Sequence, residues 1–229
     1  TGALLCLDVT EAVLDEAIAL GHNLVISHHP LIFKGYKSIT GKDYVERCIL
    51  KAIKNDIVIY SAHTNLDNAY GGVNYKIAEK IGLKNLQVLE PKENSLQDDL
   101  MQAGAGIVGE LDEPETELEF LKRIKKTFEV GCVRHNRLTG REIQKVALCG
   151  GAGAFLLPQA IRAGADVFIT GEIKYHDYFG HEGDILMVEI GHYESEQYTK
   201  EIFYSIIRDL FPNFALQSSK INTNPIKYL

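Results

Sequence analysis

The sequence predicts an α/β fold made of two facing, pseudo-repeated halves with mixed sheets. Three observations predict the halves. Apolar runs of strand length alternate with stretches of helical period, the alternation restarts midway, and part of one half aligns without gaps on the other. With 229 residues, 45% of them hydrophobic, the chain has material for one large domain or two small ones with real cores.

The elements run in order from the N-terminus. Residues 3–9 (ALLCLDV) read as a buried strand. Thr10 caps the next helix, whose face carries Val13, Leu14, Ala17 and Ile18 and which Gly21 ends. NLVIS is a second strand. Residues 43–54 are helical through Val45, Ile49, Ala52 and Ile53, IVIYSA returns to strand, and a helix near Val73 to Ile81 stops at Gly82. In the second half Leu118, Leu121, Ile124 and Phe128 mark a helix, KVALC a strand, and FLLPQAIRAG a helix with an early proline, Pro158. VFIT and ILMVEIG are further strands, and a last long helix is expected from about Tyr193 to Leu210.

The repeat pairs AIALGHNLVISHH (17–29) with AIRAGADVFITGE (160–172). Either a true duplication or two convergent βαβ units produces such a match. Between the halves, PKENSLQDDLMQAGAGIVGELDEPE is polar, glycine-bearing and without a clear period. It predicts the junction, giving an N-terminal α/β half at 1–97 and a C-terminal one at 98–229.

Composition excludes several roles. Net charge is −7, from 31 acidic and 24 basic residues, and no basic block stands out, which disfavours duplex nucleic acid as a partner. No apolar run approaches a membrane span, and no signal peptide is visible. Cys6, Cys48, Cys132 and Cys149 form no CxxC pair and read as reduced thiols of a cytoplasmic protein. Because the chain opens on Thr1 and enters a strand almost at once, it is expected to begin inside a longer gene product.

The chemistry gathers at strand ends. NLVIS runs into the adjacent pair His28–His29 and then a proline. Neighbouring side chains on an extended chain point to opposite faces, so the two imidazoles are expected to hold one each of two neighbouring atoms rather than to share one. IVIYSA leads to His63, Asn65 and Asp67, and ILMVEIG leads to His192 and Glu196. In open α/β sheets ligands sit beyond the carboxyl ends of the strands. His192 and Glu196, four apart where a helix begins, can share one face. Imidazoles with carboxylates suit two bridged ions of a hydrolytic site, and the lack of a cysteine speaks against a closed structural zinc site.

Each signal has a plainer reading. An HH pair is commonly a turn or surface feature, HxxxE an exposed pair, and Asp67 the centre of an Asx-turn. Their coincidence at three strand ends favours the joint reading. CGGAG (149–153) sits between strand and helix, where backbone N–H groups can hold phosphate, but it lacks the full glycine pattern and reads better as a tight turn.

SHHPLIFKG, AHTNLDNAYGGVN, CGGAG, TGEIKYHD and GHYESE together resemble the GTP cyclohydrolase 1 type 2 homologue family, the Nif-three-like dinuclear-metal proteins, over nearly the whole chain. The resemblance implies metal ligands at His28, His29, Asp67, His192 and Glu196. It also implies two metal ions, facing halves with the metals between them, and a toroidal homohexamer; the His and carboxylate donors suit zinc, iron, manganese, cobalt or nickel without naming one. The chain departs from the family in two places. The helical region ahead of the first strand is missing here, and the flanks of the domain inserted in longer members nearly touch near Gln97–Asp98, so either the protein lacks the insert or part of the chain has been left out.

Beside those ligands, His63 and His176 are candidate catalytic groups. His63 is placed to hydrogen-bond a ligand or metal-bound water, and His176 to act as a general acid with Glu172 and Lys174 as substrate contacts. Plain structural roles compete for both. The resulting expectation is a metal-dependent hydrolase acting through a metal-bound hydroxide on a nucleotide-like or heterocyclic small molecule. The alternatives are a non-catalytic metal-binding oligomer with a storage, delivery or regulatory role, and a phosphodiesterase.

Overall fold

Two sheets organise the chain, each in its own unit. The computed structural model describes residues 1–92 and 102–229. One unit comprises Thr1–Leu66 with Tyr198–Lys227, and the other Asp67–Gln197 with Tyr228–Leu229. The junction expected at 97/98 lies outside the described residues. The divisions fall at 66/67 and 197/198 because strand pairing draws the segment after Asp67 into the second sheet and the last strand back to the first.

The first unit carries β1 (Ala3–Cys6), α1 (Glu11–Leu20), β2 (Leu24–Ser27), α2 (Tyr44–Lys54) and β3 (Val58–Ser61). Thr10 caps α1 by accepting the Val13 N–H at 3.3 Å, and Asp43 caps α2 by accepting that of Glu46 at 2.9 Å. Near the end of the chain α8 (Thr199–Leu210) and β10 (Leu216–Ser218) return to this unit. The sheet order is β10-β1-β2-β3, parallel throughout. Leu4, Val13, Leu14, Ala17, Val25 and Cys48 make its core. Ile18 and Ile53, expected on the buried helix faces, are exposed at the margins.

The second unit takes over at Asp67, the end of the single turn α3 (Thr64–Asp67), and continues through α4 (Val73–Ile81), β4 (Lys84–Pro91), β5 (Gly104–Thr116), α5 (Glu117–Thr127), β6 (Arg134–His135) and β7 (Glu142–Cys149). A 3₁₀ turn at Ala154–Leu156 leads into α6 (Leu157–Arg162), then β8 (Val167–Thr170), a 3₁₀ turn at Tyr175–Tyr178, β9 (Leu186–Glu189) and α7 (His192–Glu196). The sheet order is β4-β5-β7-β8-β9-β6, with β7, β8 and β9 parallel and the remaining pairs antiparallel.

Three differences from the sequence reading have physical causes. The described part of the polar middle is β5, the longest strand, flanked by β4 and β7. Its glycines conceal it: Gly106 adopts φ +66°, and a Cβ there would press Leu156 Cδ1 at 2.7 Å and the Leu148 carbonyl at 3.0 Å. The α5 face is Phe120, Leu121 and Ile124 with Phe128 beyond the helix end, while Leu118 is exposed. The expected long final helix is two helices. Gln197 N–H closes α7 on the Tyr193 carbonyl, and α8 starts afresh after Tyr198, where the chain passes from one unit to the other.

The repeat falls on equivalent elements. Residues 24–27 are β2 and residues 167–170 are β8, each a strand with a parallel neighbour on either side in its own sheet. β2 runs on into His28–His29, and β8 runs on into Gly171–Glu172. Among the described residues no helix is long and apolar enough to cross a membrane.

Candidate metal centre

In the first unit three imidazoles gather beyond the ends of β2 and β3. The strands are in register at Ser27 and Ser61, whose hydroxyls lie 2.8 Å apart, and Ser27 also donates to the His29 carbonyl at 2.8 Å. Backbone pairing continues past the strand: His28 N–H reaches the Cys6 carbonyl and His29 N–H that of Leu7. The chain has left the strand by then. The rings of His28 and His29 are neighbours, with centroids 4.9 Å apart. His63 joins them at 5.3 Å and 5.5 Å. One nitrogen from each ring lies within 4.8 Å of the others, so the three make a group that could hold a metal ion.

Hydrogen bonds set which nitrogen faces outward for binding. His28 is fully buried, and its Nδ1–H donates to the Ala62 carbonyl at 2.9 Å, which puts the lone pair of the neutral ring on Nε2. His29 Nδ1 lies 2.6 Å from Asp8 Oδ1, and Thr223 donates its hydroxyl to Asp8 Oδ2 at 2.5 Å. A carboxylate behind an imidazole is the usual support of a metal-bound histidine, since it fixes the tautomer and raises the basicity of the other nitrogen.

The second unit holds Asp67, His192 and Glu196. Gly191 ends the segment after β9, and α7 then places His192 and Glu196 one turn apart, with His192 Nε2 3.1 Å from Glu196 Oε2. Behind the ring, Nδ1 lies 2.8 Å from Glu172 Oε1. The Glu196 carboxylate holds the His192 pKa above its ordinary value; burial opposes this and Glu172 adds to it. Asp67 and Glu196 bring carboxylate oxygens within 4.8 Å of each other. Cys149 lies close to both: burial first, then these two carboxylates, push its thiol up to about 12. It is therefore a neutral thiol, as expected of a residue outside the donor set.

The CGGAG turn serves this half-site as a brace. Its Gly150, Gly151 and Gly153 N–H groups donate to Asn74 Oδ1 (2.9 Å), Ser195 Oγ (3.0 Å) and Thr170 Oγ1 (2.9 Å). They are thus engaged within the protein, which agrees with a tight turn rather than a phosphate cradle. Asn74 also donates to the Asp67 carbonyl at 2.9 Å, so one side chain ties the Asp67 segment to the turn. Gly151, at φ +60°, packs so closely on Glu196 that any Cβ would overlap its Oε1.

Of the candidate catalytic groups, His63 stands within the first triad. His176 is exposed on the Tyr175–Tyr178 turn beside Tyr175 and Phe179. Sequence reading missed Asp8 and the part Glu172 plays behind His192. The signal for Glu172 was available in the repeat, which places it opposite His29.

The family model described as Duf34/NIF3 (NGG1p interacting factor 3) matches residues 1–225. A Clostridium perfringens protein named GTP cyclohydrolase 1 type 2 homolog is 38% identical over 199 residues, covering 86% of this chain and 73% of its own length. A Lactococcus lactis protein of the same name is 33% identical over 238 aligned residues, covering 98% and 84%. Among solved structures, a Staphylococcus aureus hypothetical protein superposes with a TM-score of 0.90 at 32% identity, covering 100% of this chain and 87% of that one. The fold, the two donor clusters and the match over nearly the full length together show that this chain belongs to the Duf34/NIF3 family.

Proposed function

We propose that His28, His29, Asp67, His192 and Glu196 together hold two divalent metal ions, and that the protein is a metal-dependent hydrolase of a nucleotide-like or heterocyclic small molecule. The observation that carries the reading is the arrangement behind the imidazoles. In His28 and His29, Nδ1 is engaged by Ala62 and Asp8, so Nε2 is the ligand atom in both. The donor set suits the group: neutral imidazoles and carboxylates bind zinc, iron, manganese, cobalt or nickel. Bound ions would supply Lewis-acid polarisation of the substrate and a water acidified toward neutrality.

The protein's own groups do the rest. Asp8 and Glu172 orient His29 and His192 and keep their ligand nitrogens basic. His63, half-buried next to His28 and His29, would accept or return a proton. In a chain of net charge −7, the ions would supply the positive charge that an anionic substrate needs. The relatives' name supports a GTP-like heterocycle as the first substrate to try. Cytoplasmic location and homohexameric assembly belong to the same proposal.

The test combines metal analysis of protein purified without chelators with turnover of a nucleotide panel, beside an Asp67→Ala variant. Two ions per chain, and hydrolysis that the variant loses, are expected. Bound metal without turnover of any nucleotide would instead favour a storage, delivery or regulatory oligomer. Metal-free protein from metal-replete cells would sink the metal reading itself.

A further inference from the structure

On the second unit, β6 with the residues after it and the Tyr175–Tyr178 turn wall an open cavity of about 520 Å³. That is the size of a small-molecule site, roughly 300–1,000 Å³. None of the five proposed ligands lines it.

The two walls differ in chemistry. One presents Tyr175 and Phe179, which are 68% and 56% exposed with ring centroids 5.3 Å apart. Two large rings left in water side by side in a concave site mark a binding surface more than a packing accident. The other wall presents Arg134, His135 and Arg137. Arg134 is committed within the protein, paired to Glu189 at 2.8 Å and lying over the Tyr178 ring at 5.8 Å. Arg137 is exposed and, among the described residues, makes no ion pair. His135 donates Nδ1–H to the Asn136 carbonyl at 2.6 Å, which leaves the lone pair of its neutral ring on Nε2 as an acceptor. The one carboxylate in the wall, Glu182, accepts the Gly180 N–H at 3.1 Å.

Exposed aromatic faces stack on planar heterocycles, and a guanidinium fork matches phosphate oxygens. We propose that this cavity binds a mononucleotide-type ligand, a planar heterocycle carrying a phosphate, with the ring on Tyr175 and Phe179 and the phosphate on Arg137. The volume accommodates one such unit, and the acidic chain as a whole disfavours a polyanion. The inference deepens the hydrolase reading by assigning a recognition site for its substrate class. It rests on that reading for the fate of the bound molecule, though not for the binding itself.

Calorimetry on the full chain with its metals, using GMP, guanosine and inorganic phosphate as probes, tests the assignment. GMP is expected to bind more tightly than either guanosine or phosphate. Arg137→Ala and Phe179→Ala should each weaken GMP by about tenfold or more, the loss of one phosphate contact or one stacking face, with metal content unchanged. Two results would overturn the assignment: no GMP binding, or GMP binding indifferent to both cavity substitutions. Preference for a single-stranded oligonucleotide over GMP would overturn the mononucleotide class. Intact GMP binding with no turnover would overturn only the hydrolase reading.

Discussion

His29 Nδ1 and Asp8 Oδ1 stand 2.6 Å apart, and the other oxygen of that carboxylate accepts the Thr223 hydroxyl. A residue just after β1 and another near the end of the chain therefore fix one imidazole, although more than two hundred positions separate them. Asp8 has no metal-ligand role in the proposal, so its effect must pass through His29. Replacing it by alanine removes the acceptor, lets the ring rotate and lowers the basicity of Nε2. Asp8→Ala is expected to weaken metal affinity by roughly 10–100-fold, with Asp8→Asn in between because it keeps an oxygen acceptor. Competition against a chromophoric chelator measures this. Equal affinities in all three proteins would remove Asp8 from the site.

Gly151 offers a test on the second half-site. Its backbone lies in the left-handed region at φ +60°, and Glu196 occupies the place of a side chain. Alanine there should cost about 1–2 kcal/mol in backbone strain and displace the Glu196 carboxylate. The expected outcome is a folded protein with a modestly lower Tm and a marked loss of bound metal. Gly140→Ala is a suitable control, because its φ is also positive but nothing lies within 4 Å of the added Cβ. Metal loss shared by both variants would point to general destabilisation rather than to Glu196.

How far the sequence carried depended on what each segment had to bury. β2 and β8 are short apolar runs closed by polar residues, and α1 before β2 has plain caps, so period and punctuation located the strands within a residue or two. β5 escaped because glycines needed for close strand packing replaced the side chains that would have marked its period. The donor residues were legible as types at strand ends. Asp8 was invisible as a partner because its role arises from parallel strand ends lying side by side, which no local spacing records.

The four cysteines make a sharp prediction about burial. Cys6, Cys48 and Cys149 are buried, and burial is the first cause that pushes each thiol up, to about 11 for Cys48 and about 12 for Cys149. Cys132 alone is exposed. Thiolate is the reactive form, so the native protein should titrate one thiol with a disulfide reagent at neutral pH and four after denaturation. Cys132→Ser should abolish the native reaction. A native count above one would mean that a buried thiol is reached by local opening.

Glu46 supplies the pH test. Its carboxylate is buried at the start of α2, where Oε2 accepts the Thr40 N–H (2.8 Å) and hydroxyl (2.9 Å), the Gly41 N–H (2.8 Å) and the Lys42 N–H (3.1 Å). Burial pushes the pKa up, but these bonds together outweigh it and hold the group at about 2, against 4.5 for an ordinary glutamate. A folded-state pKa below the unfolded one means that the unfolded chain binds the proton first. The stabilisation is therefore complete above about pH 4.5 and drains away as pH falls toward 2. Glu46→Gln lacks this titration and cannot serve all the donors as a charged acceptor. It should unfold at lower urea than the parent at pH 6, with the gap between the two narrowing as pH falls to 3. A gap that stays constant between those pH values would show that the Glu46 carboxylate is not the charged acceptor of the loop before α2.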